Sequence, residues 1–245
     1  MFTCIDLFSG AGGLSCGLIK EGIESKVAVE IEKDFAETFK LNHKKCDVIN
    51  DDIANIDFHK IARKQNSGTF DLVCGGPPCQ GFSTVGKKDK KDTRNFLFWQ
   101  FLRAVEEINP KIVLFENVSG FEKLYKSIAF NMLKLKLNKL GYQVKTKILN
   151  AADYGAPQHR KRTIVVGFKK GIDFHFPVPT HTQEGDMCTK KYNTLSDAIS
   201  DLPHLKANQS KKTYLKSKTL YQKELRGSEK ILTEHNATNY GERDR

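Results

Sequence analysis

Short apolar or β-branched runs alternate with amphipathic stretches along this chain, and that alternation constrains the fold more than any other feature. Runs at 3–8, 26–31, 46–49, 70–74, 111–116, 143–149 and 163–168 read as strands, with helices at 13–21, 34–42, 95–108 and 127–140. The pattern argues for an α/β fold: a Rossmann-like, doubly wound, mostly parallel sheet covered on both faces. In such a sheet ligands gather outside the carboxyl ends of the strands. Residues that carry function should therefore stand just after strands.

At 245 residues the chain can form one large domain, or one domain and the beginning of another. We expect a catalytic and cofactor-binding domain over 1–175 and a second, incomplete region over 176–245. No apolar run approaches the roughly 20 residues needed to cross a bilayer, and the N-terminus lacks a secretory pattern. The expectation is a soluble, cytoplasmic protein with no membrane partner. Forty Lys plus Arg against 29 Asp plus Glu give a formal net charge of +11, which favours a polyanionic partner through counterion release. The six cysteines, at 4, 16, 46, 74, 79 and 188, form no CxxC pair, so no metal site is expected. The default for each is a buried small apolar residue.

The first strand runs into "CIDLFSGAGGLSCGL", a turn through Gly10, Gly12 and Gly13 that leads into a helix. A turn without side chains lets a ligand approach the backbone closely. Glu30 ends the second strand about 20 residues beyond the turn, where a carboxylate can accept hydrogen bonds from ribose hydroxyls. Asp52, after the third strand, is placed to meet an adenine edge, and Phe8 can offer the ring an aromatic face. No GxxxxGK[ST] motif and no phosphate-cradling lysine follows the turn. An adenosine ligand without phosphates makes S-adenosyl-L-methionine the natural candidate.

The chain resembles the C5-cytosine DNA methyltransferases. The resemblance is carried, in the family's order, by "DLFSGAGG", Glu30 with "EKDFAETFKLN" behind it, "DDI", "GGPPCQGFS", "DTRNFLF", "ENV" at 116–118 and "NAADYGAPQHRKR" at 150–162. It covers about the first 170 residues. It implies methyl transfer from S-adenosylmethionine to cytosine in double-stranded DNA, with Leu14, Ile31, Ile53 and Pro78 joining the cofactor residues.

Carbon 5 of cytosine is too weak a nucleophile to attack a methylsulfonium directly, so a thiolate must first add to carbon 6. Cys79, in "PPCQGF", is the expected nucleophile. Glu116, ending "KIVLFE", is the expected acid at the ring nitrogen N3. Arg160 and Arg162 are assigned to the site, the first to the base and the second to ordering the pocket. His159 is treated as a neighbour and not as the general base. Gln80, Ser83 and Asn117 are expected on the DNA side. Lys87, Lys88 and Arg94, in the loop after Cys79, are expected to meet phosphate as a flipped base enters.

After "TLSDAISDLP" the chain becomes polar and lysine-rich, and no QxxxxGN-type or "RExARxQxFP"-like segment follows. The expectation is a truncated or split enzyme of restriction–modification type, completed by a second polypeptide that carries the recognition domain. Two other readings stand beside it: a tRNA methyltransferase of the same fold, and a catalytically silent DNA-binding subunit.

Overall fold

The computed structural model describes residues 1–65, 68–78, 95–227, 230–233 and 235–238. They form two compact units, residues 1–149 with 161–176, and residues 150–160 with 177–245. One break between the units falls after residue 176, and the second unit also takes in 150–160.

The first unit is built from β1 (Thr3–Leu7), α1 (Gly13–Lys20), β2 (Glu24–Glu30), α2 (Lys33–Asn42), β3 (Asp47–Asn50), α3 (Phe58–Arg63), β4 (Leu72–Gly75), α4 (Asn95–Ile108), β5 (Ile112–Val118), α5 (Ile128–Lys139), β6 (Tyr142–Asn150) and β7 (Lys161–Lys169). One seven-stranded sheet runs β3-β2-β1-β4-β5-β7-β6. The first five strands pair in parallel, and β7 lies antiparallel against β5. This is the Rossmann-like, mostly parallel sheet expected from the alternation. All expected strands and helices form with ends within two residues of their expected positions. The short helix α3 was not anticipated, because its six residues are too few to display a helical period.

The central strands are mostly apolar because helices cover both of their faces. Alternate residues serve opposite sides: Ile5 and Leu7 of β1 join the large core, while Cys4 packs with Leu72 and Cys74 beneath Leu14 and Leu18 of α1. Helix α4 lays Phe98, Phe101, Leu102, Val105 and Ile108 on the large core. That spacing is one helical face. Phe115 of β5 meets Phe101 edge-on, with ring centroids 5.3 Å apart.

The second unit contains β8 (His181–Thr182) paired with β9 (Lys190–Lys191), and two short helices, α6 (Leu195–Ile199) and α7 (Leu220–Arg226). Each helix opens on a capping box, Thr194 with Asp197 and Thr219 with Gln222, which satisfies otherwise orphaned N–H groups. Gln222 is buried and donates to Ser200 Oγ at 2.8 Å. Arg226 pairs with buried Asp201. Polar contacts of this kind hold the unit, and Leu195, Leu220, Leu225 and Ile231 stay exposed.

One polar residue sits inside the first unit at a cost. Asp6, in the middle of β1, is 1% exposed. Its carboxylate accepts from Ser15 Oγ at 2.7 Å, and Ser15 in turn meets Ser25 Oγ at 3.0 Å. Burial pushes the Asp6 carboxyl up to about 6 from its ordinary 3.8, against the lowering effect of Ser15. The raised value means that folding favours the protonated form. That stabilisation is complete below about pH 3.8 and is lost as pH rises through about 6. The substitution Asp6→Asn keeps an acceptor for Ser15 without the buried charge. It is expected to stabilise the fold by on the order of 2–3 kcal/mol above neutral pH, since each pK unit corresponds to about 1.4 kcal/mol. Denaturant midpoints of parent and variant across this pH range are the check, and the gain should shrink steadily as pH falls below about 6.

Candidate functional site

The turn after β1 starts with Phe8 at φ 57 and Gly10 at φ 55. A left-handed backbone suits glycine and is uncommon for a bulky residue. Ser9 N donates to Val29 O at 3.2 Å and Gly12 N to Ser9 O at 3.0 Å, so the turn closes on itself and on β2. Glu30, at the end of β2, is 7% exposed. Its Oε2 accepts from Gly10 N at 2.7 Å and its Oε1 from Glu32 N at 2.9 Å. The two bonds aim the carboxylate while leaving each oxygen a further lone pair for a ligand hydroxyl.

A cavity of about 450 Å³ opens over these residues, lined by Phe8, Gly10, Val29, Glu30, Ile31, Glu32, Phe35, Asp51, Asp52, Ile53, Gly76, Pro78 and Leu97. Its size suits a nucleoside-like molecule. Four carboxylates and several apolar walls make up the lining, with no lysine or arginine among the described residues. That donor set fits ribose hydroxyls, an adenine ring and a cationic sulfonium, and it does not fit phosphates. Space is available as well, since a Cβ built on Gly10 meets nothing within 4 Å.

Of the residues expected to bind cofactor, Phe8, Gly10, Glu30, Ile31, Asp52, Ile53 and Pro78 line this cavity. Gly12, Gly13 and Leu14 do not. Leu14 turns onto the Cys4, Leu72 and Cys74 cluster because it faces the sheet from the first turn of α1. Asp52 has a second duty, its Oδ1 accepting from Ala54 N at 2.9 Å to cap a short helical turn. Phe35 was missed from sequence. It lies in the first turn of α2 and is 51% exposed, an aromatic side chain on the wall of the cavity. An exposed phenylalanine two residues into an amphipathic helix was the available signal.

The end of β4 leads towards the expected nucleophile. A Cβ on Gly75 would stand 2.3 Å from Leu7 O, and one on Gly76 would stand 2.8 Å from Glu116 Oε2. Both glycines are needed for the backbone to approach its neighbours. Asn117 Nδ2 donates to Pro77 O at 3.1 Å, and Asn117 Oδ1 accepts from Val118 N at 3.0 Å. Asn117 is 5% exposed with both ends of its amide engaged. It therefore braces the Pro77–Pro78 segment. Cys79, Gln80, Ser83, Lys87, Lys88 and Arg94 lie outside the described residues.

Glu116 and Arg162 meet. In the antiparallel pairing of β5 with β7, Val118 stands opposite Arg162 and Glu116 opposite Ile164. Glu116 and Arg162 are thus diagonal neighbours on one face. Arg162 Nε lies 3.0 Å from Glu116 Oε1, leaving Oε2 against Gly76. Arg160 is not in the strand. It belongs to the second unit, where its N–H donates to Asn150 Oδ1 at 3.0 Å and its side chain is exposed. His159 lies edge-on to Tyr192, at 5.4 Å between centroids, and Tyr192 donates to Asp153 Oδ1 at 2.8 Å.

A sequence model of the C-5 cytosine-specific DNA methylases matches residues 2–245. The chain belongs to this family. Membership implies S-adenosyl-L-methionine as the methyl donor, in agreement with the lining of the cavity. Among similar proteins, the type II methyltransferase M1.HphI of Haemophilus parahaemolyticus is 39% identical over 211 residues, covering 85% of this chain and 55% of that protein. The type II methyltransferase M.AquIA of Picosynechococcus sp. is 39% identical over 218 residues, covering 81% of this chain and 88% of that protein. A solved E. coli prophage protein described as a DNA modification methyltransferase is 30% identical with a TM-score of 0.72, covering 89% of this chain and 62% of its own. The S. pombe Dnmt2 methyltransferase is 26% identical with a TM-score of 0.58, covering 71% of this chain and 53% of its own. The chain thus spans little more than half the length of the first of these relatives.

Replacing Glu30 tests its assignment to the cofactor. Glu30→Ala is expected to weaken S-adenosylmethionine binding by about 1.5–3 kcal/mol, the range for a hydrogen bond to a charged group. Calorimetric titration of both proteins is the measurement, and equal affinities would reduce Glu30 to a clasp for the turn.

Proposed function

We propose that this chain carries the catalytic machinery of an S-adenosylmethionine-dependent DNA (cytosine-5-)-methyltransferase of restriction–modification type, acting in a prokaryotic cytoplasm. The observation that carries the reading is the neighbourhood of Gly76: this residue lines the acidic cavity and also abuts Glu116, the carboxylate held by Arg162. A cofactor site and a candidate acid thus share one glycine three residues before Cys79.

Bound S-adenosylmethionine would supply an electrophilic methyl group on sulfur. The Cys79 thiolate adds to carbon 6 of a cytosine drawn out of the duplex, forming a carbon–sulfur bond and making carbon 5 nucleophilic. Glu116 gives a proton or a hydrogen bond to N3, which takes up the electron density that the addition pushes into the ring. Arg162 fixes the orientation of Glu116 by holding Oε1, and Asn117 fixes the Pro77 carbonyl on the way to the nucleophile. Arg160 carries an exposed guanidinium suited to the cytosine O2. Once carbon 5 is methylated, its proton passes to water and the carbon–sulfur bond breaks to return the thiolate. Lys87, Lys88 and Arg94, with Gln80 and Ser83, would meet the DNA.

A second polypeptide bearing the recognition domain completes the proposal. Its support is that the second unit leaves Leu195, Leu220, Leu225 and Ile231 exposed.

Duplex DNA with 5-fluorocytosine at a target site should form a covalent complex with the protein, because fluorine cannot depart as the proton does. Cys79→Ser should abolish trapping and leave cofactor affinity nearly unchanged. Trapping that survives the substitution would remove Cys79 from this role. RNA of matched sequence distinguishes the tRNA reading, which gains if RNA alone is trapped.

Tritiated methyl incorporation into a defined duplex tests the partner. Incorporation by the 245-residue chain is expected to be slow and unselective, and to become rapid and site-specific when a polypeptide carrying the recognition domain is added. Rapid site-specific methylation by this chain alone would refute the need for it.

A further inference from the structure

Among the described residues, two side chains hold the glycine turn beneath the cofactor cavity. Glu30 accepts from Gly10 N, on the wall of the cavity. The other is His43, immediately after α2, whose Nε2 lies 3.0 Å from Gly12 O. A carbonyl oxygen only accepts, so Nε2 must carry a proton there. The same carbonyl accepts from Cys16 N at 2.8 Å, the bond that begins α1. His43 therefore connects the end of α2 to the turn across 31 residues of sequence.

The imidazole is not free to swing. Its ring centroid is 4.6 Å from that of Phe39, which is fully buried. A Cβ at position 12 would stand 2.5 Å from His43 Nε2 and 2.8 Å from Phe39 Cδ2. Gly12, at φ 93, is thus glycine for two independent reasons: its backbone is left-handed, and the ring fills the space of a side chain. His43 is absent from the lining of the cofactor cavity and instead faces a separate surface depression that it shares with Ile23, Ser25 and Cys46.

We infer that His43 is a positioning residue for the cofactor. It fixes the Gly12 carbonyl, and through the two intervening peptides the Gly10 N–H that clasps Glu30, without touching the ligand. The inference rests on reading the cavity as the S-adenosylmethionine site. Losing one hydrogen bond of ordinary strength from the turn corresponds to a drop in affinity of about tenfold.

The test uses two substitutions and two readouts. His43→Phe keeps the ring packed on Phe39 and removes the donor, while His43→Gln restores an N–H donor on a flexible chain. Calorimetric titration with S-adenosylmethionine should show about tenfold weaker binding for His43→Phe and substantial recovery for His43→Gln. Amide hydrogen exchange without ligand should be faster over residues 9–13 in His43→Phe, with β4 and β5 unchanged. A parent chain that binds while His43→Phe binds equally well would overturn the inference. Unchanged exchange over the turn would overturn it too, whatever the affinities. A parent chain that binds no S-adenosylmethionine would instead sink the cofactor reading and the affinity claim with it, and exchange alone would then judge whether His43 holds the turn.

Discussion

The register of β1 between its two parallel neighbours governs everything at the functional end of the sheet. Leu7 is level with Val29 of β2 on one side and with Gly75 of β4 on the other. Three strands ending at one height place whatever follows each of them on a common rim. The turn from Phe8, the carboxylate of Glu30 and the segment from Gly76 to Pro78 meet over one cavity for that reason. Parallel pairing extends the rim to Glu116 on β5. The reversal of β7 then brings the beginning of a later strand there, so Arg162 reaches Glu116 even though the two are far apart in sequence.

That rim is assembled from groups that do not favour folding locally. Phe8 adopts left-handed backbone, Asp6 is a carboxylate in the interior, and Ser9 Oγ is buried with no partner among the described residues. Each such feature typically costs about 1–3 kcal/mol. The aromatic core of Phe98, Phe101, Phe115 and Phe121 lies under the same sheet and offsets these losses by apolar burial.

Much of this was legible in the sequence because it depends on short-range pattern. The strands are apolar runs, the helices have one wet face, and the glycine turn and Glu30 stand directly after strands. What escaped needs three-dimensional register. The pairing of Glu116 with Arg162 follows from which residue of β7 lies opposite Val118, and no local pattern encodes that. His43, in "LNHKK", looks like an ordinary polar residue past a helix, and its bond to Gly12 exists only once α2 has packed on β2. The inward turn of Asn117 towards Pro77 follows from the pleat, which sends alternate residues to opposite faces. The packing of Leu14 on the sheet likewise follows from the direction of α1.

The lining of the cavity also bears on competition inside a cell. Glu30, Glu32, Asp51 and Asp52 concentrate negative potential in a small concave space, with no cation among the described lining residues to offset it. Adenine nucleotides offer the same ring and ribose, but their phosphates would carry like charge into that field. Among the described lining residues the phosphates of ATP would meet like charge, whereas a ligand with the same adenosine moiety and a positive centre would meet opposite charge.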